Sequence, residues 1–221
     1  MPDGDGLDLV GIGKVAKAIP AKAWSTLVET ACATFRSAIA PFTATTSGLG
    51  RLIDAKFDRL VDAEKVVAAQ TFARAAEKVS ESGKQISESA KVGIVVSVIE
   101  AASAESDPIL RELWANLLAH ELVAGDVHPE FPKVLLRLSA HDAKVLSQIA
   151  ERETDKSASF ISSLRGFSLS FSLAGIALNL TAEGGSFSHE HLANLHLIHR
   201  PDRKWVLTRT GAAFIRSVSG A

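Results

Sequence analysis

The stretch that decides the fold is Asp107-Pro108-Ile109-Leu110-Arg111-Glu112-Leu113-Trp114-Ala115-Asn116-Leu117-Leu118-Ala119-His120-Glu121-Leu122-Val123-Ala124-Gly125. An acid before a proline is a helix-start signal. The carboxylate caps orphan amides, and the proline's missing N–H falls where no partner exists. Ile109, Leu110, Leu113, Trp114, Leu117, Leu118 and Leu122 recur at three- and four-residue steps, giving a wide apolar face. Gly125 stops the helix. Downstream, His128-Pro129 starts a short helix through Leu138. Ser139-Ala140-His141-Asp142 then has capping-box spacing ahead of Val145, Leu146 and Ile149. The stripes at 109–122 and 134–149 are expected to bury against each other, forming a compact scaffold.

Working upstream, Val92-Gly93-Ile94-Val95-Val96-Ser97-Val98-Ile99 is apolar and β-branched. The charge pattern of Glu81, Lys84, Glu88 and Lys91 before it tips the reading to a buried helix. A first helix is expected over about 21–40 from Trp24, Leu27, Val28, Ala31, Phe35 and Ile39, with Pro41 ending it. A polar, Gly-containing linker over 41–50 follows. From Arg51 a second helical pattern runs towards Val79, with Ser80-Glu81-Ser82-Gly83-Lys84 interrupting it. Residues 1–10 read as a Gly/Asp-rich tail.

Downstream, Phe167 to Leu173 alternates with serines in the two-residue period of a strand. A helix through Phe160, Leu164, Phe167 and Phe171 fits as well, so 160–181 stays open. Gly184-Gly185-Ser186 reads as a turn, His189 to Leu195 as a short helix and Leu197-Ile198 as a strand. Arg200-Pro201-Asp202-Arg203 makes a turn into a returning strand, Trp205-Val206-Leu207, and Thr208 caps a last helix. The expected fold is mainly α. A helical N-terminal arm (1–90) leads to a helical core (91–152), followed by a small winged-helix-like α+β C-terminal part (153–221).

Composition narrows the function classes. With 24 Lys plus Arg against 25 Asp plus Glu, no global cationic field draws the chain onto nucleic acid or anionic lipid. Cys32 is the single cysteine, so no disulfide forms within the chain. The longest uncharged stretch, 166–182, is short and serine-studded against the roughly 20 apolar residues of a spanning helix. A cytoplasmic location is the expectation.

The run from Leu110 to Ala119, followed by Val127-His128-Pro129-Glu130-Phe131 and Leu138-Ser139-Ala140-His141-Asp142-Ala143, resembles the signature region of the abortive infection alpha family. The closing run Leu207-Thr208-Arg209-Thr210-Gly211-Ala212-Ala213-Phe214-Ile215 is similar to that family's last motif. The resemblance covers 92–150 well and 187–216 more loosely. It implies a role in phage defence, in which an infected cell halts phage production at its own expense. It carries no catalytic residues onto the chain. Trp114, Asn116, Leu117, His128 and Pro129 are the motif residues.

Each chemical reading of the residues meets a plainer one. Trp114 and Leu117 read as core, Asn116 as a buried amide, and His128 as a helix-entry residue, although Glu121, Asp126 and Glu130 leave a small polar site conceivable. His189, His191, His196 and His199 crowd eleven residues without the four-residue spacing of a zinc helix. Gly11-Ile12-Gly13-Lys14 and Gly83-Lys84 are only fragments of a phosphate loop. Cys32 borders an apolar stripe and reads as inert. Arg200, Arg203, Lys204, Trp205 and Arg209 form a basic wing, with Arg216 following in the last helix, able to contact nucleic acid or a partner. Yet the helix before it, Phe187 to Leu195, carries no Lys or Arg for base readout. A non-enzymatic protein is expected, without cofactor or metal. It would work through a phage or host protein partner or a conformational switch, and could self-associate through its N-terminal helices. A DNA-binding regulator is the alternative, and a membrane-perturbing effector built on 160–180 is the third reading.

Overall fold

The computed structural model describes residues 20–45, 47–153 and 187–219. The expectations for 1–10, 11–14, 160–181 and 184–186 lie outside them. Helices α1 (Ala21–Thr45), α2 (Ser47–Asp58) and α3 (Asp62–Ser82) come first. They are followed by α4 (Val92–Ala102), α5 (Pro108–Ala124), α6 (Phe131–Leu136) and α7 (Ala140–Glu153). The last described part holds α8 (Phe187–Asn194), strands β1 (Ile198–His199) and β2 (Val206–Leu207), and α9 (Arg209–Val218). The fold is mainly α, with one two-stranded antiparallel ladder pairing Ile198 with Leu207 and His199 with Val206.

Helix α5 is the axis of the molecule. Asp107 Oδ1 accepts from the amides of Ile109 (2.8 Å) and Leu110 (3.3 Å), and Gly125 ends the helix at φ 66°. Buried side chains run from Leu110 to Leu122 and include Ala115, Asn116 and Ala119 as well as the large apolar residues. Small residues on the sides of the apolar face let neighbours close in all round. Helices α3, α4 and α9 therefore pack on α5. This corrects the expected pairing of the stripes at 109–122 and 134–149: α7 touches α5 only lightly and packs chiefly on α8 and β2.

The N-terminal helices differ from the sequence reading in two places. Helix α1 continues through Pro41 to Thr45, and α2 begins at Ser47, so 41–50 is helix on both sides of residue 46 rather than a linker. Proline removes one ladder donor, yet the helix continues through it. The expected long helix instead breaks at Arg59-Leu60-Val61, where Glu64 accepts from the Val61 amide at 3.2 Å. Apolar periodicity runs straight across that break and hides it. Phe35 of α1 stacks on Phe57 of α2, with ring centres 3.7 Å apart, and lies tilted against Phe72 of α3. Helix α3 in turn reaches α5 through Glu112, which is buried and ion-paired with Lys78 at 2.6 Å and with Arg74 at 3.4 Å. Cys32 is half-buried against this core.

Candidate functional site

Helix α9 is amphipathic. Gly211, Phe214, Ile215 and Val218 face inward, while Arg209, Thr210 and Arg216 face out. Both of its ends are pinned. At the start, the Thr208 hydroxyl donates to the His196 carbonyl at 2.5 Å and accepts from the Gly211 amide at 2.9 Å. Gly211 lies so close to β1's approach that an added Cβ would sit 1.9 Å from the Leu197 carbonyl oxygen. At the far end, Asn116 Nδ2 donates to the Val218 carbonyl at 2.8 Å.

So held, α9 forms one wall of an open groove of about 980 Å³. The facing wall is the end of α5 (His120), the loop after it (Asp126, His128, Glu130) and α6 (Phe131, Val134, Arg137). The end of α8 (Asn194, Leu195, His196) closes one side. Phe131 meets Phe214 edge-on beneath, with ring centres 5.4 Å apart. The loop carrying His128 is shaped by a buried clasp. Glu121, wholly buried, accepts from the amides of Lys91 (2.5 Å) and Val127 (3.0 Å), and the Lys91 ammonium donates to the carbonyls of Gly125 and Val127. Burial pushes the Glu121 carboxyl up in spite of those donors.

The charges of the groove are unevenly spent. His120 Nε2 sits 2.9 Å from Asp126, and Lys133 pairs with Glu130 at 2.7 Å. The bond and charge of Lys133, with His128 nearby, hold the Glu130 carboxyl below its ordinary value. Arg137, Arg209 and Arg216 are exposed and form no ion pair among the described residues. The hydroxyl of Ser217 donates to the Ala213 carbonyl at 3.2 Å, and His128 Nδ1 accepts from the Glu130 amide.

The five residues read as a basic wing fall in two places. Arg200, Arg203, Lys204 and Trp205 lie at the turn between β1 and β2, where the Arg200 guanidinium stands over the Trp205 ring at 5.4 Å. Arg200 Nε also donates to the Arg203 carbonyl, and His189 lies tilted against the other partner of the pair, Trp205. That half-buried indole is engaged from two directions. Arg209 belongs to the groove. Of the motif residues, Trp114, Asn116 and Leu117 are buried in α5, and His128 and Pro129 are exposed on the loop. The clustered histidines disperse: His191 bonds the Arg137 carbonyl, His196 lines the groove and His199 is exposed. Among the described residues no group of three His, Cys, Asp or Glu side chains is placed to hold a metal, and no helix is long and apolar enough to cross a membrane. Sequence reasoning missed His120 and Arg137 as site residues, weighed His196 only as a metal ligand, and set Arg216 only beside the wing. The available signal was the seven-residue spacing of Arg209 and Arg216, two turns apart on one helical face.

The region that builds this groove is also the region with a family match. The sequence matches the family model described as abortive infection alpha over residues 63–215. The chain belongs to the abortive infection alpha family. The abortive infection alpha match starts in α3, well before the motifs around α5, and runs into α9, so it takes in both groove walls up to Ile215. No curated protein and no solved structure matches the chain.

Proposed function

We propose that this abortive infection alpha protein is a non-enzymatic phage-defence protein. It senses infection by binding in the groove between α5–α6 and α9, and it acts through protein contacts. The observation that carries this reading is the division of charge in the groove: its two carboxylates are engaged by His120 and Lys133, while three arginines remain open to solvent. That pattern fits recognition of a negatively charged group, since exposed guanidiniums outside any ion pair present their donors to one. A phage challenge of cells with and without the gene, followed by identification of what co-purifies during infection, tests it. Protection with a specific co-purifying partner is expected. Protection that survives loss of every groove arginine would refute it.

A DNA-binding regulator is the second reading, favoured by the exposure of Arg203 and Lys204 at the β1–β2 turn. Replacing Arg200, Arg203 and Lys204 together with Glu removes any phosphate contact there. On the primary reading that variant still protects.

A further inference from the structure

The geometry points to the groove between α5–α6 and α9 as a binding site for a small phosphate-bearing anion. The inference rests on the groove being a recognition site and names the chemistry of what it recognises.

Three independent features converge. The first is charge. Arg209 and Arg216 stand on one face of α9, about 10 Å apart along its axis at 1.5 Å per residue. Arg137 reaches the same cavity from the C-terminal end of α6. Each guanidinium offers a planar fork of donors and carries its charge at any physiological pH. Filling several forks at once takes a group rich in acceptor oxygens. A phosphate presents three strong acceptors and nearly two negative charges, where a carboxylate presents two acceptors and one charge.

The second feature is His196. It ends α8 in the left-handed region at φ 57°, where the Leu197 amide returns to the Leu192 carbonyl and the His196 amide to that of Ala193. Glycine is the residue such a helix end favours, because a side chain there is strained. Here the position holds an imidazole that lines the cavity together with Asn194 and His128.

The third is size. About 980 Å³ lies at the upper end of the range of small-molecule sites. Phe131, Val134 and Leu195 give it an apolar floor that suits an organic portion beside the charged one.

Inorganic tripolyphosphate is the probe, titrated calorimetrically into the full chain at low salt. Saturable binding of one anion per chain is expected. Arg209→Gln with Arg216→Gln should weaken it at least tenfold with an unchanged unfolding midpoint. His196→Gly should weaken binding several-fold while raising the midpoint, a split that a merely structural residue does not give. Arg200→Gln with Arg203→Gln, at the turn, should bind as the parent does. Absence of saturable binding overturns the proposal, as does equal loss in the turn variant. An oligoglutamate peptide binding as tightly as tripolyphosphate overturns it in favour of an acidic protein segment. Anion binding that persists in protein from cells where the gene gives no protection would sink the defence reading and leave this inference standing.

Discussion

Asn116 reaches across 102 positions of sequence to donate its side-chain amide to the Val218 carbonyl at 2.8 Å, from a site with no solvent exposure. The bond ties the central helix to the last one, and with it the wall that carries Arg209 and Arg216. Without Asn116, the Val218 carbonyl at the end of α9 would lose that bond. Asn116→Leu keeps the volume and should cost about 1–3 kcal/mol, the desolvation of a buried carbonyl left unpaired. Denaturant midpoints measure that loss, and hydrogen exchange should localise the loosening to α9.

Gly211 holds the other end of the same helix. Its Cα hydrogen faces the Leu197 carbonyl oxygen at a distance where an added methyl carbon would sit 1.9 Å away. A backbone carbonyl cannot swing aside as a side chain can. Gly211→Ala, an exchange that favours helices elsewhere, is expected here to destabilise by about 3 kcal/mol or more, at the upper end of overpacking costs. Thermal unfolding checks the sign. An unchanged or raised midpoint would show that α9 does not lie this close to β1.

Much of this was legible in the residues. Asp107-Pro108, Gly125, Ser139 with Asp142, and Thr208 announced helix boundaries that the structure keeps, because a cap is a local bond between near neighbours. The break at Arg59-Leu60-Val61 was hidden, since Leu60 and Val61 continue the apolar rhythm while the chain turns. The helical Pro41 was hidden as well, because a proline's missing donor reads as a helix stop. The groove is a different matter. Arg137 and Arg209 are 72 positions apart, and only the docking of α9 by Asn116 and Thr208 brings them to one cavity. No spacing rule reaches that far.

Acidification should act through His189. Burial first, then the charges of Arg152, Arg200 and His141, hold its imidazole below the ordinary value of 6.5. The unfolded chain therefore takes up a proton near pH 6.5 that the folded chain refuses. Stability from this site is complete above 6.5 and is lost as pH falls through the folded value. Glu121 acts in the opposite sense, because its raised carboxyl favours the protonated folded state and its contribution fades as pH rises through the folded value. His189→Gln should therefore flatten the first loss of stability below pH 6.5, read from denaturant midpoints on either side of that value. A variant with the parent's full acid sensitivity would assign the effect elsewhere.

The most direct test compares two sets of arginines by efficiency of plating. One strain carries Arg137, Arg209 and Arg216 replaced by Gln; another carries Arg200, Arg203 and Lys204 replaced by Glu. Both are checked for unchanged abundance and unfolding midpoint. The groove account predicts that the first strain becomes as sensitive to phage as cells lacking the gene, while the second stays protected. Full protection in the first strain, with sensitivity in the second, would contradict it and move the site to the turn between β1 and β2.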